Sequence, residues 1–244
     1  MPSTHLLKAL TTAGTGSRRQ LADAIRQGRV EVNGKVVEDF SYPLNMEEDR
    51  ILIDKQPVDL MPKQKVYLML NKPQGVMSTT SDERGRTTVI DILPGKYRHM
   101  RLYPVGRLDK ESTGLLLLTN DGELTQWLTH PSFEHEKEYL VSINARLKKS
   151  EKLRLEQGLM LENCITHRAI VKEVDVKEYN YSITIHEGKK RQIRRMFEHL
   201  GYRVLALKRV RMGSILLGDL SEGEARRLSP REVQTLLGGK ANHT

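Results

Sequence analysis

The spacing of apolar positions along this 244-residue chain changes near residue 60, and the change separates two kinds of structure. Before it, Leu6, Leu7 and Leu10 share a helical face that ends at Gly14, with Ser3 placed to cap the helix. Ser17 and Gln20 form a capping-box signature, and the stripe Leu21, Ala24, Ile25 behind it predicts a second helix stopped by Gly28. Val30-Glu31-Val32 then alternates, Asn33-Gly34 supplies a two-residue turn, and Val36-Val37 begins the return strand. The stretch from Asp59 to Lys65 reads as a linker.

Beyond Val66 the apolar runs are short and bounded by turn residues, beginning with Tyr67-Leu68-Met69-Leu70 before Asn71-Lys72-Pro73-Gln74-Gly75. Further strands are predicted at 101–105, 114–119, 137–143, 169–175 and 179–186, and helices at 87–93, 123–129, 150–157 and 189–200. The last helix is the clearest, because Ile193, Met196, Phe197 and Leu200 fall on one face while Lys189, Lys190, Arg191, Arg194 and Arg195 take the others. Strands and helices without strict alternation predict an α+β fold with a mainly antiparallel mixed sheet flanked by helices. The expected domains are a small helix-hairpin unit at 1–62, a larger unit at 63–237 and a flexible tail at 238–244.

Charge changes the picture more than composition does. The net charge is +9, and it is concentrated: residues 1–62 hold 8 basic and 9 acidic residues, whereas 63–244 hold 32 and 22. Within 186–212 alone, nine basic residues face Glu187 and Glu198. Such a cluster suits a polyanionic partner. Cys164 is the single cysteine, so no internal disulfide forms, and a reducing, cytoplasmic setting is expected. No apolar stretch reaches the roughly 18 residues of a membrane span.

The chemistry gathers at Gly106-Arg107-Leu108-Asp109-Lys110-Glu111-Ser112-Thr113-Gly114, followed by Leu115-Leu116-Leu117-Leu118. Asp109 stands beside a cation at the lip of an apolar strand, where it is either a satisfied ion pair in a turn or a carboxylate held ionised for attack on an electrophile. The histidines show no metal-ligand spacing: His130 and His135 flank Pro131, and His167 and His199 lack evident partners, so no metal is expected. There is no G-x-G-x-x-G and no G-x-x-x-x-G-K in the chain. Asp82-Glu83-Arg84-Gly85-Arg86 reads as a mobile polar loop.

Two resemblances sharpen these readings. The segment SRR…L…I..GRVEVNGK is similar to the S4 RNA-binding domain, which implies phosphate contacts from Arg18 and Arg19. GRLDKESTGLLLLTNDGEL, with Leu70-Asn71-Lys72-Pro73 before it and EGKKRQIRRMFEHLGYRVLALKRVRMG after it, resembles the pseudouridine synthase family, in the branch that modifies ribosomal RNA and carries an S4 domain.

The resemblance covers about residues 3 to 235 and implies an isomerase that needs no cofactor. It makes Asp109 the catalytic aspartate that attacks the target uridine, Tyr139 the ring that packs on the base, and Arg194 the cation that pairs with the aspartate. Arg191 or Arg195 could take that last part, or all three could bind phosphate. Arg107 resembles the arginine that assists extrusion of the nucleotide, Ile193 a pocket wall, and Lys72 a brace for the active-site loop. The implied partner is structured ribosomal RNA with a flipped uridine, met by a monomer. The expected target is 23S, with 16S as the alternative. A non-catalytic S4-type ribosome-assembly factor is the rival reading, and it leaves the joint presence of Asp109, Tyr139 and Arg194 without a reason.

Overall fold

The computed structural model describes residues 4–61, 64–161 and 164–241, with side chains left out at Cys164 and at 239–241. The chain forms two compact units, Met1–Lys65 and Val66–Thr244.

In the first unit, helices α1 (Leu6–Thr12) and α2 (Arg18–Arg26) accompany short strands β1 (Thr4–His5), β2 (Val30–Val32), β3 (Lys35–Val36), β4 (Pro43–Leu44), β5 (Ile51–Ile53) and β6 (Gln56–Pro57). The capping box at α2 is present in both directions, with Ser17 Oγ accepting from Gln20 N at 3.1 Å and Gln20 Oε1 accepting from Ser17 N at 3.0 Å. Asn33 and Gly34 both adopt positive φ, 51° and 78°, which is what a two-residue hairpin turn between β2 and β3 demands. Leu6, Leu10, Leu21 and Ile25 meet Val30, Val32 and Ile51 in one apolar core. The position capping α1 is His5, without a side-chain cap bond, and Ser3 lies outside the described residues.

The second unit is built on a mixed sheet. Its strands are β7 (Tyr67–Lys72), β8 (Tyr103–Pro104), β9 (Thr113–Thr119), β10 (Lys137–Ile143), β13 (Ile170–Val176), β14 (Tyr179–Ile185), β15 (Val204–Met212), β16 (Ile215–Leu216) and β17 (Ala225–Arg227). A separate ribbon pairs β11 (Met160–Leu161) with β12 (Cys164–Ile165). The order along the main sheet is β13-β14-β10-β15-β9-β7-β17, antiparallel except between β15 and β9. Helices α5 (Lys149–Gln157) and α6 (Gln192–His199) contribute to the core on one face, where Leu68, Leu116, Val141, Ile183, Met196 and Phe197 meet. On the other face, α4 (Gly122–Thr129) and α7 (Pro230–Ala241) cover Met69, Leu115 and Leu117 with Trp127 and Leu236. A short helix α3 (Gly95–Arg98) completes the set.

Four sequence expectations change here. The segment 87–93 is a run of turns, not a helix: Thr88 N and Oγ1 both donate to Asp91 Oδ2, Val89 N donates to Met77 O, and Leu93 N closes a turn on Ile90 O. Helical backbone begins only after Pro94. The helix expected at 189–200 opens at Gln192, because Arg191 takes a left-handed φ of 50°. The strand expected at 101–105 contracts to Tyr103–Pro104. The expected tail at 238–244 is helical through Ala241, as the end of α7.

Candidate active site

Asp109 lies in the loop that enters β9, next to the parallel seam between β9 and β15. This loop is held from two sides. Ser78, buried, accepts from Leu108 N at 3.1 Å and donates to Leu108 O at 2.9 Å. Gly75 N donates to Lys110 O at 2.9 Å, and Lys72 Nζ donates to Pro73 O at 2.8 Å and to Lys110 O at 3.4 Å. Arg194 of α6 donates to Glu111 O at 3.3 Å, and Arg191, just before that helix, pairs with the Glu111 carboxylate at 3.1 Å. The backbone on either side of Asp109 is therefore fixed, while its carboxylate takes no hydrogen bond or ion pair among the described residues. Preorganisation of this kind leaves the anion available to a substrate.

A cavity of about 530 Å³ opens over that carboxylate. That is within the size range of small-molecule sites. Arg107, Lys110, Lys189, Lys190 and Arg191 line it, and among the described residues Asp109 is the one carboxylate in its wall. Tyr139, Ile193 and Leu207 supply the apolar floor. Tyr139 is 7 % exposed and sits opposite Ile183 of β14 and Arg209 of β15. A bulge beside it, between the pairs Glu138–Arg211 and Tyr139–Arg209, bends β15 at this level of the sheet. Ser112 also lines the cavity, its Oγ buried without a partner, and sequence reasoning did not single it out.

The structure refines the expected pairing of Arg194 with Asp109. Arg194 is buried, and its guanidinium donates to Val204 O and Glu111 O; it makes no direct ion pair with Asp109 among the described residues. Burial and the neighbouring Arg191 pull its pKa below the usual guanidinium range, against the opposing pull of Asp109 and Glu111. A guanidinium keeps its proton despite such a shift, so Arg194 remains a cation behind the loop that bears Asp109. Glu111 is held below the ordinary carboxylate range by its own backbone N–H, and then by Arg191 and Arg194.

Lys72 is fully buried. Burial pushes its ammonium pKa down to about 8, opposed by Glu111, Glu222 and Asp109. In Lys72→Met, which keeps the length and removes the charge, stability at pH 7 should hold or rise, because a desolvated charge is costly. Isomerisation should fall, since the loop loses a brace at Lys110 O. The sign with pH follows from the shift: between about 8 and the ordinary lysine value of 10.5, folded Lys72 is neutral while the unfolded chain still binds the proton. Stability of the native chain therefore gains with rising pH in that window, by at most about 1.4 kcal/mol per pH unit. Urea midpoints of the two proteins at pH 7 and 9.5 check this; an equal pH response in Lys72→Met refutes it.

The remaining residues fall apart from this cluster. Arg195 lies on α6 without lining the cavity, and Arg18 and Arg19 are exposed on α2 of the first unit. Asp82 is no open loop residue: it accepts from Arg84 N and Arg86 N and pairs with the Arg86 guanidinium at 2.6 Å. The histidine reading is also corrected, because His167 Nδ1 and His186 Nε2 stand 3.1 Å apart.

A family profile described as RNA pseudouridylate synthase matches residues 66–199, the span that contains Asp109, Tyr139 and Arg194, and an S4-domain profile matches residues 6–51. The chain belongs to the RNA pseudouridylate synthase family. It is 40% identical over 236 residues to the Bacillus subtilis ribosomal large subunit pseudouridine synthase B, covering 95% of each chain. It is 36% identical over 239 residues to an uncharacterized RNA pseudouridine synthase of Aquifex aeolicus, covering 97% of this chain and 94% of that one. A crystal structure of a pseudouridylate synthase, 33% identical, superposes with a TM-score of 0.69 over 96% of this chain and 100% of the other. As a pseudouridylate synthase the protein is an isomerase with an S4 domain, and the α+β arrangement is that of its solved relative.

Proposed function

We propose that this synthase converts one uridine of 23S ribosomal RNA to pseudouridine, with Asp109 as the nucleophile. The observation that carries the chemistry is a backbone-fixed carboxylate, without hydrogen bond or ion pair among the described residues, in the wall of a cavity that five cations and an apolar floor also line. The likeness along 95% of both chains to a relative named for the large ribosomal subunit supports the choice of RNA.

A stacked uridine is out of reach of that carboxylate, so the base is extruded at a cost of a few kcal/mol. Arg107 and the cations at 189–191 offset it by holding phosphates, with Arg18 and Arg19 of the S4 unit adding contacts elsewhere on the RNA. Tyr139 then packs against the extruded ring, an aromatic face being what an unstacked base requires. Arg194 braces the loop that bears Asp109 by donating to Glu111 O. The product is an isomer of the substrate, so the reaction balances with no donor, electron carrier or phosphate. The protein works as a cytoplasmic monomer.

Carbodiimide-induced reverse-transcription stops, mapped on ribosomal RNA from cells with and without the gene, test the assignment. One stop lost from 23S is the expected result. A stop lost from 16S would move the target, and an unchanged pattern in both RNAs would sink the reading.

A further inference from the structure

Glu134, His167 and His186 come from three separate segments: the connection between α4 and β10, the stretch between β12 and β13, and the end of β14. A carboxylate oxygen of Glu134 and one ring nitrogen from each histidine all lie within 4.8 Å of one another. The two ring nitrogens are 3.1 Å apart. Ligand nitrogens at about 2.0–2.1 Å from a tetrahedral zinc ion stand roughly 3.3 Å apart, so the pair is already spaced near the edge of such a polyhedron. Two imidazoles and one carboxylate are borderline donors, suited to zinc-class transition ions rather than to magnesium or calcium. All three groups are at least partly open to solvent, which provides the entry path.

The support behind these ligands leads toward the catalytic cavity. Glu187, adjacent to His186, accepts from His167 N at 2.8 Å and from Gln192 Nε2, and pairs with Lys189 at 3.0 Å. It therefore ties the backbone of one ligand to the stretch Gly188–Gln192, which forms one wall of the cavity. Glu134 holds a left-handed φ of 47°, a conformation that needs local compensation in a non-glycine residue. We propose that Glu134, His167 and His186 bind a zinc-class divalent ion, leaving a fourth position to water, and that the ion staples the entrance of β10 to the loop bearing Lys189, Lys190 and Arg191. The ion is structural and takes no part in the isomerisation. Its effect on catalysis is to order the phosphate-binding wall of the cavity.

The full-length protein, stripped with chelator and dialysed, is titrated calorimetrically with zinc chloride, and cobalt(II) is used in parallel for its ligand-field absorption. One equivalent of zinc and the intense visible bands of four-coordinate cobalt are expected. His167→Ala and His186→Ala should each weaken zinc binding at least tenfold and abolish those bands, and Glu134→Gln should weaken it less. His99→Ala, on an exposed position elsewhere, should bind as the native chain does. Zinc should also slow amide exchange across 186–192 in the native protein and not in His186→Ala. Absence of a stoichiometric site overturns the proposal. So does binding that survives both histidine substitutions, which marks an adventitious ion only. If zinc binds as expected but exchange at 186–192 does not change, the coupling to the cavity wall is overturned.

Discussion

Asp109→Asn is expected to abolish isomerisation while leaving the fold and the affinity for RNA nearly intact. Asparagine has the shape of aspartate and lacks its charge, and a neutral amide oxygen is a poor nucleophile toward a pyrimidine nucleoside. The loop does not depend on the replaced group. Leu108, Lys110 and Glu111 are held by Ser78, Gly75, Lys72 and Arg194 through backbone atoms, and the Asp109 carboxylate has no partner to lose among the described residues. Unfolding free energy should change by no more than about 0.5 kcal/mol, as for substitutions that break no contact. Loss of the attacking group should lower the single-turnover rate by on the order of 10⁴-fold or more. RNA affinity should stay within a few fold, since the cations of the cavity wall remain. The new carbon–carbon bond displaces the hydrogen at C5, so tritium release from 5-tritiated uridine in the RNA follows the reaction directly. Release at the native rate from the variant would remove Asp109 from the role of nucleophile.

Local rules made some of this structure legible. The Ser17 and Gln20 capping box, the Asn33-Gly34 turn and the apolar face of α6 each depend on neighbours within four residues, and each is in place. The central strand β15 was missed. Its sequence, Val204 to Met212, carries Lys208, Arg209 and Arg211, and a central strand with that charge defeats a reading by alternation. Arg209 is nonetheless 2 % exposed and donates to Leu115 O at 2.7 Å. The partner that makes its burial tolerable lies 94 positions away, beyond the reach of any window. The same limit hid Ser78, whose grip on Leu108 spans 30 positions, and the meeting of His167 with His186. Thr88 shows the opposite failure. A helix is expected from sequence at 87–93, whereas the chain there closes turns, with Thr88 N on Asp91 Oδ2, Val89 N on Met77 O and Leu93 N on Ile90 O. For the site, the motif around Asp109 pointed to the residue we propose as the nucleophile, whereas the bonds of Arg194 to Val204 O and Glu111 O join positions that no local pattern links.

Gly114→Ala is expected to destabilise the second unit more than any other single methyl addition in the loop and strand around the site. Gly114 has φ +99°, and a Cβ built there would stand 2.2 Å from Arg209 O and 2.7 Å from Arg209 N. Those atoms are backbone, and they belong to the seam where β9 and β15 run parallel through just two paired positions, Thr113 with Lys208 and Gly114 with Arg209. Neither strand can withdraw without parting the two halves of the sheet. Left-handed strain alone costs about 1–3 kcal/mol. Separation of the seam adds to it and brings the total into the class above about 4 kcal/mol, a large share of the 5–15 kcal/mol typical of a domain. Gly75→Ala is the matched control. It has a similar φ of +87°, but a Cβ there meets nothing within 4 Å, so it bears the conformational cost only. Trp127, the single tryptophan, belongs to the same apolar cluster as Leu115 and Leu117 and reports unfolding of this half by fluorescence. In urea, Gly114→Ala should unfold well below Gly75→Ala, and its residual folded fraction should lose isomerisation because the strand that follows Asp109 has moved. Equal midpoints for the two variants would show that close approach to Arg209 is not what requires glycine here.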